Sequence, residues 1–482
     1  IGSAVGASGM KRSFTNSVTM LSMLLAAGSA GAQRAPASPN QPWQSTLSVP
    51  VPARSAPVVA PDPARAYALA DLVNLAEQNN PETRVAWENA KAKAADLGIS
   101  RSTLYPTLAA AVVAQSVRTK LLFAPAYIRQ TLQSYAPALE VDYTVFDFGR
   151  RLDEIAISRN DLLAANFLFN DTHRKVIYQV MAAYYRVLNT KGQEDAAEAN
   201  LKNAQTVQQA AEARLELGLA TLPDVLEARS AAAQADYDLQ AAVGASEIAH
   251  GDLATALGVS PTIPLQVESI QSVTIPQDLT STVESSIDRA LAQRPDLMQR
   301  VAELRAANAE VKAATTAYLP TLSLGGTVGL NKTYGEQDQL PGVYSPNQEF
   351  WDAHFSLTWT LFDGFARESR VARAKADQKQ AAAQVDAIRD QVENEVWTAY
   401  STARTALRQQ KAAAALLDAA SSSYNAALQS YTYGVRSQID VVSAQRTLAA
   451  ARTADVSART QLLTGVAALA FQTGDLLHAK GP

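Results

Sequence analysis

Few residues in this chain stand where chemistry could use them. The four histidines, His173, His250, His354 and His478, are all more than 70 positions apart, so no short paired-histidine metal motif exists. There is no cysteine, which removes disulfides, thiolate metal sites, thiol nucleophiles and a lipidated N-terminal cysteine. Asp147-Phe148-Gly149 spells the metal-binding triplet of protein kinases, but no Gly-rich phosphate loop or His-Arg-Asp loop accompanies it. No strand–elbow–helix motif presents a serine nucleophile. The sequence therefore predicts no enzyme, no cofactor and no metal centre. What remains is a set of carboxylates beside glycines: Gly218-x5-Asp224 and Gly434-x5-Asp440, with Glu227 near the first. Glycine ends a helix through a left-handed residue, and an aspartate just beyond can cap the next helix at the positive end of its dipole.

The elements that must position these turns are very long. Residues 150–217 hold no proline and one glycine, Gly192, and residues 365–433 hold neither. As helices they would each reach roughly 100 Å at 1.5 Å per residue. A seven-residue series, Ile155, Leu162, Phe169, Val176, Ala183, is matched by Val371, Gln378, Val385, Val392, Ala399, which argues packing against neighbouring helices. Return helices are expected over 224–257 and 439–474. Ahead of the long helices, alternating segments predict strands over 107–119, 135–146, 321–331 and 352–362. In 355–361 the odd positions are apolar and the even ones polar, which puts Leu357, Trp359 and Leu361 on one face, with Trp359 in mid-strand. Trp351, Tyr334, Tyr344 and Phe350 suggest an interfacial aromatic belt, and residues 331–350 read as a long loop. Gly149 and Gly364 ease the strand-to-helix corner, and Asp147 or Asp363 is expected to cap the long helix.

The whole arrangement occurs twice. Tyr105-Pro106-Thr107-Leu108 is echoed by Leu319-Pro320-Thr321-Leu322 at an offset of 214. The offset is 216 for Tyr143-Thr144-Val145-Phe146-Asp147 against Trp359-Thr360-Leu361-Phe362-Asp363, and for Gly218 against Gly434. The expected plan is a first repeat over 67–258, a linker over 259–283, a second repeat over 284–476 and a tail over 477–482. Each repeat opens with one helix, over 67–104 and 284–318.

Lys plus Arg is 42 and Asp plus Glu is 46, a mildly acidic balance that argues against a nucleic-acid partner. No apolar run is long enough for a membrane-spanning helix, but barrel strands are short and only half apolar. Residues 1–32 read as upstream residues followed by a secretory signal: Lys11-Arg12, an apolar stretch from Val18 to Ala27, and Ala30-Gly31-Ala32 before Gln33. Residues 33–66 are proline-rich and expected to be extended. Four strands cannot close a membrane barrel, and open edges are forbidden in hydrocarbon. If these strands lie in a membrane, copies must assemble, and three copies supply twelve strands.

The signal sequence, the doubled unit, the corners Phe146-Asp147-Phe148-Gly149 and Phe362-Asp363-Gly364-Phe365, and the turns Leu217-Gly218-x5-Asp224-Val225-Leu226 and Tyr433-Gly434-x5-Asp440-Val441-Val442 resemble the TolC-like outer-membrane efflux proteins of Gram-negative bacteria. The resemblance covers about residues 67–476. It implies an α+β membrane protein: a homotrimer with a 12-stranded transmembrane β-barrel in outer-membrane lipid, continued by a long α-helical barrel through the periplasm. It implies an exit duct for an inner-membrane transporter of RND or ABC type, joined through a periplasmic adaptor protein. It also implies a closing network at the periplasmic end, here Asp224, Tyr431 and Arg436, with Asp440 in the constriction. Ser443 stands where that family's pattern has a second aspartate, and Glu227 could supply charge instead. A competing reading is a soluble periplasmic coiled-coil scaffold or adhesin, which would need no detergent.

Overall fold

The computed structural model describes residues 58–123, 126–270, 273–279, 281–337, 340–344 and 347–477. The secretory signal and nearly all of the proline-rich lead-in lie outside the described residues, as do the last five residues of the tail.

The chain enters through β1 (Ala66–Tyr67), which pairs in parallel with β4 (Gln266–Val267). The opening helix, expected as one, is two. Helix α1 (Leu69–Asn79) stops at Asn80, and α2 (Pro81–Ser102) begins at the proline. Proline forces its predecessor out of the helical region, and Asn80 sits at φ −69°, ψ 125°. The proline has no N–H to lose at the first helical position, and the Asn80 side chain accepts the Glu82 N–H at 2.7 Å. The second copy breaks for the same reason at Arg294-Pro295, giving α5 (Val283–Gln293) and α6 (Pro295–Thr316).

The strands are longer than their alternation predicts. β2 (Thr107–Phe123) and β3 (Ala126–Phe146) form one antiparallel hairpin. β5 (Thr321–Gln337) pairs with β3 on one side. On the other side it pairs with β7 (Asn347–Thr358) and, further out, with β6 (Leu340–Tyr344). β6 and β7 share one line along β5, so the sheet is four strands wide. Residues 331–337, 340–344 and 347–350, expected as loop, are strand: 332–337 pair with β3, Gly335 and Gln337 with β6, and 347–350 with β5. β7 ends at Thr358, opposite Thr321, the first residue of β5. Trp359 therefore lies beyond the strand rather than in its middle.

From each hairpin the chain turns into a 67-residue helix, α3 (Arg150–Glu216) and α7 (Ala366–Thr432), and returns by α4 (Leu222–Ala256) and α8 (Gln438–Thr473). The corner needs two successive left-handed residues, Phe148-Gly149 in one copy and Gly364-Phe365 in the other. One of each pair is phenylalanine, which costs about 1–2 kcal/mol in that region. The aspartates offset this from two residues upstream of the helix-capping position: Asp147 accepts the Arg151 N–H at 2.9 Å and Asp363 the Arg367 N–H at 3.1 Å. Each also pairs with the side chain of the same arginine.

Helices α3 and α4 pack antiparallel, as do α7 and α8, and α3 packs on α8, so α4 and α7 lie at the two outer edges of the helical layer. Its main core gathers Val176, Val180, Tyr184 and Leu188 of α3 with Leu72, Leu253, Leu257 and Leu463. Of the first seven-residue series only Val176 is fully buried, because the supercoiling contacts shift to its neighbours.

Candidate functional site

Two regions carry the functional geometry: the turns where the helices reverse, and the two faces of the sheet. At the turns, Gly218 (φ +73°) and Gly434 (φ +74°) end the descending helices. Leu219 N–H reaches Arg214 O at 2.8 Å, and Val435 N–H reaches Ser430 O at 2.9 Å, the wider hydrogen bond of a left-handed helix stop. The next helix starts from Thr221 or Ser437. Asp224 Oδ2 accepts from the Thr221 N–H at 2.9 Å and from its hydroxyl at 2.6 Å. Asp440 Oδ2 does the same with Ser437 at 3.1 and 2.9 Å. These bonds hold both carboxyls below the usual aspartate range: the Thr221 hydroxyl first for Asp224, and the Ser437 hydroxyl first for Asp440. Asp440 is exposed and Asp224 half-buried. Glu227 lies half-buried one turn into α4.

The three residues expected to close this end are not joined in one chain. Tyr431 is only 8 % exposed. Its partner is a residue the sequence did not single out, Arg214 at the foot of α3. The guanidinium lies 4.4 Å over the ring and donates to Tyr431 O at 2.8 Å. Burial pushes the Tyr431 phenol up, Arg214 opposes that, and Asp224 adds to it, which places Asp224 within electrostatic reach. Arg436 is exposed, and its backbone N–H bonds Ser430 O. Leu217 and Leu219 at the first turn, and Tyr433, Val435 and Ile439 at the second, are also exposed.

The sheet register sorts side chains onto two faces, since residues opposite each other share a face and alternate along the strand. On one face stand Leu139 and Val141 of β3, Leu322, Leu324, Val328 and Leu330 of β5, and Trp351, Phe355 and Leu357 of β7. On the other stand Glu140, Asp142, Ser323, Thr327, Asp352, His354, Ser356 and Thr358. The apolar face is bare: Trp351 is 80 % exposed, and Phe355 and Leu357 are also exposed. Phe350, expected in an interfacial belt, is on the polar face against Gly329. Tyr135 and Tyr334 meet edge-on at 6.2 Å near the far end of the sheet. At the near end Phe146 and Phe148, and Phe362 and Phe365, pair at 4.7 and 5.5 Å, and Leu361 is exposed among them. Trp359 belongs to this near group, and its indole N–H donates to Tyr318 O at 3.0 Å. From Leu322 to Leu330 along β5 the apolar face runs roughly 27 Å, which at barrel tilt is a band about 20 Å tall; Glu349 and Lys332 stand on the same face at its far end.

A third feature was not visible in the sequence. Where α3 passes the Arg294-Pro295 break, charges are buried. Arg174, 1 % exposed, pairs with Asp171 at 2.6 Å, lies 3.6 Å from Asp296 and donates to Phe471 O at 3.0 Å. Arg294 joins Asp296 at 2.5 Å and Glu395 at 2.7 Å. Burial alone would raise the Asp296 carboxyl, but Arg294 and then Arg174 hold it below its ordinary value. Among the described residues, no group of histidines and carboxylates forms a metal site.

This fold, mainly helical with a two-faced sheet, is shared with solved outer-membrane channels. The sequence matches the outer membrane efflux protein family over residues 72–259 and again over 286–475, and the chain belongs to that family. Its function is that of an outer-membrane efflux channel, and the family is one of transport proteins, not enzymes. Protein CyaE of Bordetella pertussis is 28% identical over 349 residues, 72% of this chain and 71% of that one. The cation efflux system protein CusC of Escherichia coli K12 is 24% identical over 254 residues, 52% of this chain and 53% of its own length. A crystal structure of a membrane protein from Pseudomonas aeruginosa superposes with a TM-score of 0.75 at 23% identity, covering 84% of this chain and 93% of that one.

Proposed function

We propose that three copies of this chain form the outer-membrane exit duct of a tripartite efflux or secretion system. The observation that carries this reading is the bare apolar face of a sheet only four strands wide. Its edge strands, β2 and β7, carry unpaired backbone groups that hydrocarbon does not tolerate. Three sheets edge to edge give twelve strands and bury every edge, with the face of Glu140, Asp142 and His354 turned to a water-filled lumen. The helical layers then form a tube on the periplasmic side. The doubled order of elements is read as a gene duplication. A periplasmic adaptor meets the helical end, and an RND- or ABC-type inner-membrane transporter supplies the substrate. The chain itself carries no catalytic activity, and with no cysteine it takes no lipid at an N-terminal thiol.

The turns close the duct at rest. Tyr431 and Asp224, with Arg214 as the link inside each chain, set the position of the helix ends, and Arg436 reaches across to the neighbouring copy. Asp440, with Glu227, lines the throat and favours cations. Partly exposed ion pairs of this kind are worth only about 0–1 kcal/mol each, so they exchange readily for adaptor contacts. Native mass measurement of detergent-extracted protein tests the assembly. The expected mass is three copies from the outer-membrane fraction. A folded monomer recovered without detergent would favour the scaffold reading instead.

A further inference from the structure

The polar face of the sheet gathers its charges in one place. Across the ladder, Thr107, Asp142, Gly325 and His354 form one row. Ala109, Glu140, Thr327 and Asp352 form the next row on the same face. Glu140, Asp142, Asp352 and His354 are all exposed. The lysines and arginines of the sheet, Arg118, Lys120, Arg129 and Lys332, stand on the opposite face, beyond Leu330. Among the described residues, then, the polar face carries three carboxylates, one imidazole and no lysine or arginine.

His354 lies flat against the wall. Its Nδ1 is 2.6 Å from an Asp352 carboxylate oxygen. The opposite edge of the ring lies over Gly325, where a Cβ would sit 2.7 Å from both Cε1 and Nε2. A glycine in a strand marks such a close approach, and Gly325 is buried on an otherwise open face. The imidazole thus reaches across β5, with Asp352 on its own strand and Asp142 on the far side of Gly325.

We propose that His354 is a selectivity-determining residue of the lumen: it gains a proton as pH falls and lowers the channel's preference for cations. This deepens the duct reading above and rests on it. Three copies hold nine of these carboxylates and three of these imidazoles in two adjacent rows. Histidine is the side chain whose charge ordinarily changes between about pH 5 and 8. Three positive charges against nine negative ones weaken the field without reversing it. The charged groups facing the ring are Asp352 on β7 and Asp142 and Glu140 on β3; Ser323 and Thr327 of β5 carry no charge. At the foot of the sheet Asp142 shares a cavity with Tyr105, Tyr143 and two ion pairs, Arg151–Asp147 and Arg150–Glu154, which cancel. β2, the strand that meets β7 of the next copy in the proposed ring, presents no charge on this face. The capping aspartates at the helical turns have carboxyls held below the usual range, so that end keeps its charge over the same interval.

The test is the zero-current potential of purified channels in planar bilayers across a salt gradient. Salt near about 10 mM is used, where a charge is felt over about 30 Å. From pH 8 to pH 5.5 the cation-to-anion permeability ratio of the wild type should fall about twofold. In His354→Gln, which still offers Asp352 a donor but takes up no proton, the ratio should stay level. That variant also leaves His173 and His250, on α3 and α4, in place, so a level ratio assigns the response to the sheet. Asp352→Asn should begin from a lower ratio and still fall. An equal fall in His354→Gln with its trimer mass intact, or a level ratio in the wild type, overturns this inference and leaves the duct standing. Correctly assembled trimers that form no channel overturn the duct reading and this inference with it.

Discussion

Tyr431 illustrates what single residues decide here. Its ring is held beneath Arg214, so the descending helices of the two repeats are tied at their ends within one chain. Arg214→Ala should loosen that tie and raise single-channel conductance, and Arg436→Ala should do so by removing the proposed contact to the neighbouring copy. Asp440→Asn should lower cation selectivity, read as a shift in reversal potential across a salt gradient. The turn glycines and capping aspartates are legible in the sequence, because Gly-x5-Asp is local chemistry. Arg214 is not, since its partner lies 217 positions away and its counterpart in the second repeat is Ser430. The buried charges are hidden for the same reason: Arg294 and Glu395 are 101 positions apart. Arg174→Ala should cost about 1.5–3 kcal/mol in chemical unfolding, as it leaves buried Asp171 with only Lys175 and Asp296 with only Arg294. Asp296 has a depressed carboxyl, so its contribution to stability is full above about pH 4 and fades as pH falls through the lowered folded value. In Asp296→Asn the acid limb of a Tm-against-pH curve should flatten.

Elements obey the two periods, three to four for the helices and two for the strands, and both can be read directly from residue order. Their ends are harder to read. The breaks before Pro81 and Pro295 come from the restriction proline places on its predecessor, although the apolar pattern continues across them. The outer part of β5 is polar, and the short β6, Leu-Pro-Gly-Val-Tyr, holds a proline and a glycine, so only cross-strand pairing identifies both as strand. This changes where a charge should hurt. Val328 and Trp351 face each other inside the apolar band, so Val328→Arg should cost about 2 kcal/mol or more and impair insertion. Leu357 is one residue from the end of β7, and Leu357→Arg should cost only about 0–1 kcal/mol. Thr327→Arg, on the polar face, should insert normally and reduce cation conductance. Heat-modifiable migration on gels reports insertion. Equal damage from Val328→Arg and Thr327→Arg would show that the band does not face lipid.

At the scale of the molecule, each open edge of the chain implies a second copy. The sheet ends in unpaired strands and the helical layer ends in α4 and α7, and a ring of three satisfies both. On the proposed reading such a ring is a duct that the helical turns close at rest. Single-channel recording in planar bilayers tests that claim most directly. The purified protein should give small, cation-selective openings. The combined Tyr431→Phe and Arg436→Ala variant, with its trimer mass intact, should give openings several-fold larger. No channel activity from correctly assembled trimers, or identical conductance in wild type and variant, would contradict the account.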